Sequence, residues 1–420
     1  MRSEKKWMPG AAAVIALAVS GVPAGAAGID KQSFGQIERG HYLTIVGDCA
    51  ACHTLPGSSH AFAGGRPIET PFGMLLAPNI TPDPQTGIGA WTNDEFVNAL
   101  TKGTGRHGTR LYPAMPYTYY TKLSRDDALA IRAYLNTVPA VHNPVKSNQL
   151  SFPFSMRWTL AVWDELFFTP GTFRPDPKQS AQWNRGAYLV EGPGHCGMCH
   201  TPKNFLGADQ TDDRFKGYAL QGWFAPNITD DARRGIGGWS VEEIAAYLKT
   251  GHNKTGAASG PMSETLNLST SKMSDADIQA IAVYLKDQGG QQKTAAADPA
   301  DPPDQKAMKS GAQIYADECS ACHGADGKGQ EHLFPALGGS PAVQQADPTT
   351  VLHVVLRGAR SVGTPPAPTA PAMPEFGWTL NDEQVAAVAT YIRNTWGNSA
   401  PPVNAGDVKK TRQMLVERSD

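Results

Sequence analysis

Apolar residues recur at helical spacing in three segments of the chain, and each segment follows a polar capping residue. The capping residues are Ser124, Ser274 and Asn381, and acidic residues occupy the first turn after each of them. The apolar positions of the three helices are Ile131, Tyr134 and Leu135; Ile281, Tyr284 and Leu285; and Val388, Tyr391 and Ile392. The pattern predicts three similar amphipathic helices, each closing one helical unit.

A second helix is predicted earlier in each unit, and it carries an internal glycine. These glycines are Gly40, Gly186 and Gly311. Because glycine inside a helix costs about 1 kcal/mol relative to alanine, its recurrence needs a structural reason. We expect each glycine to allow a close crossing with the capped helix of the same unit.

The first two units are internal duplicates. Ala77-Pro78-Asn79-Ile80-Thr81 recurs as Ala225-Pro226-Asn227-Ile228-Thr229, and Gly87-Ile88-Gly89-Ala90-Trp91 recurs as Gly235-Ile236-Gly237-Gly238-Trp239. The third unit lacks both loops and runs instead through Phe334-Pro335-Ala336-Leu337. The third unit is therefore predicted to be more compact.

All six cysteines lie in three copies of CxxCH, the attachment motif of c-type haem. The copies are Cys49 to His53, Cys196 to His200 and Cys319 to His323, so the predicted thioether residues are Cys49, Cys52, Cys196, Cys199, Cys319 and Cys322. CxxC pairs also occur in zinc sites, disulfides and redox dithiols. Zinc would need two pairs in close register, and redox dithiols would need no histidine after each pair. Three covalent haems c are therefore the preferred interpretation.

The histidine of each motif is the predicted proximal iron ligand, and one methionine per unit is the predicted sixth ligand. The pairs are His53 with Met115, His200 with Met262, and His323 with Met373. The spacing is 62 residues in the first two units (115 − 53 and 262 − 200) and 50 in the third (373 − 323). Prolines flank each methionine and hold the backbone around it. Filled coordination favours electron transfer, with no catalytic residue in this chain. The alternatives are a multihaem oxidoreductase or peroxidase with an open haem site, and a diffusible cytochrome that feeds a terminal oxidase.

The predicted fold is all-α, with three tandem cytochrome c-type domains. The predicted boundaries are a signal peptide at 1–27, domain 1 at 28–148, an aromatic inter-domain segment at 149–178, domain 2 at 179–288, a linker at 289–306, domain 3 at 307–397 and a polar, mobile tail at 398–420. The aromatic segment is either an ordinary packing element or a surface that faces a partner or the membrane.

The amino terminus has the three parts of a secretory signal. Arg2, Lys5 and Lys6 precede an apolar run from Ala11 to Val22, and Ala24-Gly25-Ala26 offers a cleavage site. Export predicts a location on the periplasmic side of the cytoplasmic membrane. Removal of residues 1–27 changes the formal charge from −2 to −4, with 34 basic and 38 acidic residues remaining (37 − 3 and 39 − 1). This charge gives no reason to expect nucleic-acid binding.

The chain resembles the trihaem cytochrome c subunits of membrane-bound periplasmic dehydrogenases. The resemblance rests on the three CxxCH motifs, the duplicated loops, Tyr112 to Tyr117 (YPAMPY) and Phe152 to Trp158 (FPFSMRW). Known members serve alcohol dehydrogenase (quinone), gluconate 2-dehydrogenase and FAD-linked sugar dehydrogenases. The resemblance implies a catalytic partner subunit that carries PQQ or FAD, in some complexes a small third subunit, and electron delivery through the haems to ubiquinone at the membrane surface.

Overall fold

The computed structural model describes residues 33–146, 148–287 and 302–416. The predicted signal peptide at 1–27, residues 289–301 of the predicted linker and residues 417–420 of the predicted tail lie outside the described residues. We refer to 33–146 as the first unit, 149–178 as the aromatic segment, 179–287 as the second unit and 302–416 as the third unit.

Helices dominate all three units. The first unit contains α1 (Phe34–Val46), α2 (Cys49–His53), β1 (Pro67–Thr70), β2 (Gly73–Leu76), α3 (Asn93–Lys102), α4 (Tyr117–Tyr120) and α5 (Arg125–Leu135). The aromatic segment contains β3 (Gln149–Leu150) and α6 (Thr159–Phe167). The second unit contains α7 (Ala181–Glu191), α8 (Gly197–His200), β4 (Tyr218–Leu220), β5 (Trp223–Ala225), α9 (Val241–Thr250), α10 (Pro261–Leu268) and α11 (Asp275–Lys286). The third unit contains α12 (Gln305–Ile314), α13 (Ser320–His323), α14 (Thr349–Arg357), β6 (Ala359–Arg360), β7 (Ala372–Met373), α15 (Asp382–Arg393) and α16 (Ala405–Val416).

The described residues are largely helical, as predicted, but short antiparallel strands that the sequence pattern does not predict lie between the helices. β1, β2 and β3 form one sheet, β4 pairs with β5, and β6 pairs with β7. Each strand has only two to four residues, which is too short for an alternating pattern to stand out. Since β3 belongs to the aromatic segment and pairs with β2 of the first unit, it attaches that segment to the first unit.

The predicted close crossing of helices is confirmed in all three units. α1 crosses α5, α7 crosses α11, and α12 crosses α15, each at the predicted glycine. A Cβ placed on the glycine would lie 1.8 Å (Gly40 to Ala130), 2.0 Å (Gly186 to Ala280) and 2.3 Å (Gly311 to Ala387) from the facing carbonyl oxygen. No side chain fits at these distances, so the backbones themselves are in contact.

The predicted helix starts are also confirmed. The side chains of Ser124, Ser274 and Asn381 accept a hydrogen bond from the backbone N–H three residues later. In α15 the glutamine at that third position also bonds back to the Asn381 backbone, which completes a capping box. The three caps fix the start of each capped helix and hence the position of its apolar face.

The first and second units share their cores. Val46 of α1 is buried in the core of the second unit, and Tyr42 packs against the same core. Tyr188 of α7 packs in turn against the core of the first unit. The two duplicated units are therefore in direct apolar contact through their glycine-bearing helices.

The tail differs from its prediction in the residues up to Val416. Instead of a mobile segment, the chain forms α16, and Val408, Thr411 and Leu415 are buried. Val408 and Leu415 belong to the core of the third unit, beside Leu352 and Val385. The reason is that these three buried residues, spaced three and four apart, lie on one helix face, although the segment as a whole is polar. Within the described ranges, no helix combines the length and the apolar character needed to cross a membrane.

We expect Gly40→Ala to destabilise the holoprotein by about 1–3 kcal/mol, because the new methyl group would overlap the Ala130 carbonyl and force α1 and α5 apart. Gly35 lies in the same helix with no atom within 4 Å of a built Cβ, so Gly35→Ala should be neutral or stabilising by up to about 1 kcal/mol. Thermal and denaturant unfolding would measure both. Equal effects of the two substitutions would contradict the crossing geometry.

Candidate functional site

Each CxxCH motif lies on a short helical turn that follows the glycine-bearing helix. α2 begins at Cys49, while Cys196 and Cys319 immediately precede α8 and α13. One helical turn separates the first cysteine from the second and from the histidine. Both thiols and the imidazole of a motif are thus neighbours on one side of a single turn.

The three motif histidines make the same hydrogen bond to a proline carbonyl. The distances from Nδ1 to the carbonyl oxygen are 2.8 Å (His53 to Pro78), 2.7 Å (His200 to Pro226) and 3.0 Å (His323 to Pro335). A carbonyl can only accept, so Nδ1 carries the proton and Nε2 keeps its lone pair. This outer hydrogen bond orients the ring as metal-bound histidines are usually oriented.

Burial keeps these histidines neutral. It lowers the pKa of His53, His200 and His323 below the ordinary value, and the proline hydrogen bond opposes this shift only in part. Neutral imidazole is the form that binds a metal ion. All three rings are therefore oriented and protonated in the way that an iron ligand requires.

The duplicated loops are what present the proline carbonyls in the first two units. Asn79 accepts hydrogen bonds from the backbone N–H and hydroxyl of Thr81, and Asn227 does the same with Thr229. The Ile88 N–H then donates to the Thr81 carbonyl at 2.9 Å. In the second unit the Ile236 N–H donates to the Thr229 carbonyl at 2.8 Å. The recurrence of these loops in the sequence is thus explained by their position behind the motif histidines.

The surroundings of the thiols do not favour zinc binding or redox chemistry. All six are free of disulfides, and among the described residues no group of three or more His, Cys, Asp or Glu side chains could hold a metal ion. Burial, with a contribution from the negative charge of Asp48, raises the pKa of Cys49 to about 12 and that of Cys52 to about 11. Reactive dithiols have lowered values instead. Paired thiols beside an oriented histidine fit covalently attached haem.

The structure brings the first two motifs to one cavity of about 2740 Å³. Its lining includes Cys52 of the first motif and Met198 and Cys199 of the second. The loops that carry Met115 and Met262 also reach it, through Tyr112 to Ala114 and through Gly260 and Pro261. The third motif, Cys319 to His323, does not line this cavity.

The predicted axial methionines occupy three different local structures. Met115 lies in a turn, where its N–H bonds the Tyr112 carbonyl at 2.9 Å and its carbonyl accepts from the Tyr117 N–H at 2.7 Å. Met262 is the second residue of α10, with Pro261 at the first helical position. Met373 lies in β7 opposite Ala359. All three are partly buried, and only the first is in the irregular proline-flanked loop that the sequence suggests.

Sequence reasoning missed the residues just before the first two motifs. His195, which precedes Cys196, is partly buried; its Nε2 lies 3.2 Å from the Gly47 carbonyl oxygen and its ring packs on Tyr120. Asp48, which precedes Cys49, has a buried Oδ1 with no hydrogen-bond partner among the described residues. The His195 contact joins the two units, and the only sequence signal for these two residues is the equivalent position before each first cysteine.

Asp48 lies in a mixed-charge cluster beside the first motif. Burial, together with the negative charge of Glu264, raises its pKa to about 8, against an ordinary value of 3.8. Arg66 forms an ion pair with Glu264, with Nη2 2.8 Å from Oε2, and also donates to the Ala51 carbonyl. Since Asp48, Arg66 and Ala51 belong to the first unit and Glu264 to the second, the cluster bridges the duplicated units.

The chain is similar to several known proteins. The cytochrome c family model matches residues 37–139 and 308–396. The gluconate 2-dehydrogenase cytochrome c subunit of Pantoea cypripedii is 39% identical over 95% of this chain and 95% of its own length. The alcohol dehydrogenase (quinone) cytochrome c subunit of Gluconobacter oxydans (strain 621H) is 38% identical, covering 94% of this chain and 86% of its own. The fructose dehydrogenase cytochrome subunit of Gluconobacter japonicus is 37% identical, covering 90% and 82%.

We expect Asp48→Asn to remove one pH dependence of stability. Because the pKa of Asp48 is higher in the folded state than in the unfolded chain, its titration lowers the free energy of unfolding as the pH rises from about 4 to about 8. The variant should therefore gain stability relative to the wild type across this window, as measured by denaturant unfolding of the holoprotein at about pH 5 and about pH 9.

The matched control is Asp326→Asn, because the hydrogen bond from Lys328 lowers the pKa of this exposed carboxyl. Because this pKa is lowered, the carboxyl is charged at both pH values, so the control should differ from the wild type by the same amount in the two conditions. An Asp48→Asn variant whose stability runs parallel to the wild type between them would contradict a neutral, buried Asp48.

Proposed function

The chain belongs to the family of cytochrome c subunits of membrane-bound dehydrogenases, whose haem c is covalently attached, and we propose that it carries electrons through three such haems to ubiquinone. The electrons come from a catalytic partner subunit that oxidises an alcohol, a sugar or a sugar acid. The observation that carries this proposal is the threefold occurrence of one arrangement: a CxxCH turn whose histidine Nδ1 bonds a proline carbonyl.

The repeated arrangement supports three haems in three tandem cytochrome c-type domains. Each domain combines a glycine-bearing helix, a CxxCH turn and a capped helix, and this all-α frame would hold one haem. The proposed boundaries are 28–148, 179–288 and 307–397, with the aromatic segment and the linker between them, and α16 adds Val408 and Leu415 to the core of the third domain. The short strands lie in the connecting loops and do not replace this helical frame.

The proposed ligand set leaves no place for a substrate. In this proposal, Nε2 of each motif histidine and the sulfur atom of one methionine would hold each iron, and the pairs are His53 with Met115, His200 with Met262, and His323 with Met373. Covalently bound haem c supplies an iron that exchanges one electron between its ferrous and ferric states. The chain's own residues hold, orient and bury the group, and the substrate chemistry belongs to the partner.

The relatives support a catalytic partner subunit. Their names assign them to gluconate, alcohol and fructose dehydrogenases, and the gluconate dehydrogenase relative is covered over 95% of its length. We propose that the partner carries PQQ or FAD, in some assemblies with a small third subunit.

We propose attachment to the membrane surface on its periplasmic side, after cleavage of residues 1–27. The aromatic segment supports this placement because it exposes large apolar side chains. Those exposed in and beside it are Phe152, Trp158, Val162, Leu166 and Phe205, of which all but Phe152 also line the cavity of the first two motifs. Exposed apolar side chains of this kind occur at surfaces that bind a lipid interface or a partner protein.

We expect the reduced wild-type protein to bind no carbon monoxide, because each haem iron would hold a histidine and a methionine. Met115→Leu should bind about one equivalent per chain, since leucine keeps the side-chain volume but cannot coordinate iron. Met273→Leu is the matched control, because Met273 is a buried core residue of the second unit, and it should bind none. Carbon monoxide binding by the wild type would favour an open-site oxidoreductase or peroxidase instead.

We expect membranes of a host lacking this chain to lose substrate-dependent ubiquinone reduction, while the catalytic subunit still reduces a soluble dye. Re-expression of the wild-type chain should restore ubiquinone reduction. A triple variant with Cys49, Cys196 and Cys319 each replaced by alanine should not, because haem attachment is impaired at every motif. Unchanged ubiquinone reduction without the chain would exclude the proposed role and favour a diffusible cytochrome.

A further inference from the structure

The duplicated units carry a second repeated pattern, one that haem attachment does not explain. The glycine-bearing helix reads Arg39-Gly40-His41-Tyr42 in the first unit and Arg185-Gly186-Ala187-Tyr188 in the second. The third residue after the capping serine is Asp127 in one and Asp277 in the other. The third unit has Ser310, Gln313 and Gln384 at these positions, so arginine, tyrosine and aspartate are all replaced together.

Each aspartate accepts hydrogen bonds from both units. Asp127 accepts from Arg39 of its own unit, with Nε 2.5 Å from Oδ1, and from the hydroxyl of Tyr188 in the second unit. Asp277 accepts from Arg185 of its own unit at 2.8 and 2.7 Å, and from the hydroxyl of Tyr42 in the first unit at 2.7 Å. The two tyrosines are thus exchanged between the units.

The exchange is reciprocal, as in a two-fold symmetric dimer, where residue i contacts j and j contacts i. Both aspartates are buried, at 3% and 7% exposed. Burial would raise the pKa of each carboxyl, but the hydrogen bonds from arginine and tyrosine outweigh it and leave the pKa below its ordinary value. Each tyrosine therefore donates to a charged, buried acceptor, which is the stronger kind of hydrogen bond.

The first and second haem-attachment motifs meet where the two units are in contact. Cys52 and Cys199 line the same cavity. His195, directly before Cys196, contacts Gly47, two residues before Cys49. A shift between the units would therefore move one motif relative to the other.

We infer that Tyr42 and Tyr188 are positioning residues that fix the first and second haem-attachment motifs relative to each other, so that the duplicated units act as one two-haem module. This inference rests on the proposed function, because it concerns electron exchange between two haems. The third unit joins by other contacts, such as the Thr350 hydroxyl, which bonds both the N–H and the carbonyl of Phe224.

The test is the double variant Tyr42→Phe and Tyr188→Phe, which keeps both rings and removes both hydroxyls. Each lost bond to a charged acceptor should lower the docking equilibrium constant of the two units by roughly tenfold or more. In the fully oxidised holoprotein, the magnetic interaction between the first two ferric haems should weaken or be lost in electron paramagnetic resonance. After pulsed reduction, electron equilibration between these haems should slow. The Cys196→Ala and Cys199→Ala variant, which lacks the second haem, provides the spectrum without interaction.

Tyr315→Phe is the matched control, because the Tyr315 hydroxyl donates to the Gly324 carbonyl at 2.6 Å inside the third unit. It should leave the interaction between the first two haems unchanged. The single variants Tyr42→Phe and Tyr188→Phe should weaken the magnetic interaction to a similar extent, because the two contacts are reciprocal. They provide the same measurement if the double variant does not incorporate haem.

Two results would overturn the inference. One is a double variant with a lower melting temperature but an unchanged magnetic interaction and exchange rate, since the tyrosines would then be merely stabilising. The other is a fully loaded wild type with no interaction between the first two haems. A wild type with fewer than three haems by mass spectrometry would instead count against the proposed function, so the two failures are distinguishable.

Discussion

The contact between two helix backbones at a glycine is the constraint on which the rest of each unit depends. At Gly40, Gly186 and Gly311, the carbonyl oxygen of the facing helix occupies the space that a Cβ would need. Since the CxxCH turn follows eight to ten residues later (49 − 40, 196 − 186 and 319 − 311), the crossing fixes where each motif starts relative to the capped helix. The helix caps, the apolar helix faces and the histidine hydrogen bonds then stabilise an arrangement of helices that the crossing has already determined.

The N-terminal turn of the capped helix has a second use in the duplicated units. The capping serine accepts a hydrogen bond from the backbone N–H of Asp127 or Asp277. The carboxylate of the same aspartate accepts hydrogen bonds from the arginine and from the exchanged tyrosine. In the third unit the equivalent glutamine bonds back to its own cap and closes a capping box. One helix position thus serves association in two units and local helix stability in the third.

Much of the helical frame could be predicted from the sequence, because caps, apolar spacing and internal glycines are local signals. The short strands at Ala359 and Met373 could not, since two residues carry no periodicity. The helix from Ala405 was hidden by its polar composition, although Val408 and Leu415 share a buried face. His195 and Asp48 were missed for a different reason: their roles come from residues of the other unit, and neither residue type stands out beside a CxxCH motif.

The hydrogen bond behind each histidine ends on a backbone carbonyl, and this has a consequence for how such a chain can diverge. Any residue at positions 78, 226 or 335 offers the same acceptor, so substitution there alters the loop but cannot delete the contact. The loop can also be rebuilt: the acceptor lies 25 and 26 residues after the histidine in the duplicated units and 12 after it in the third (78 − 53, 226 − 200 and 335 − 323). The orientation of the imidazole therefore depends on the backbone path of the loop and not on the side chain at the acceptor position. The three loops can consequently differ in sequence and in the residues they contact without losing this hydrogen bond.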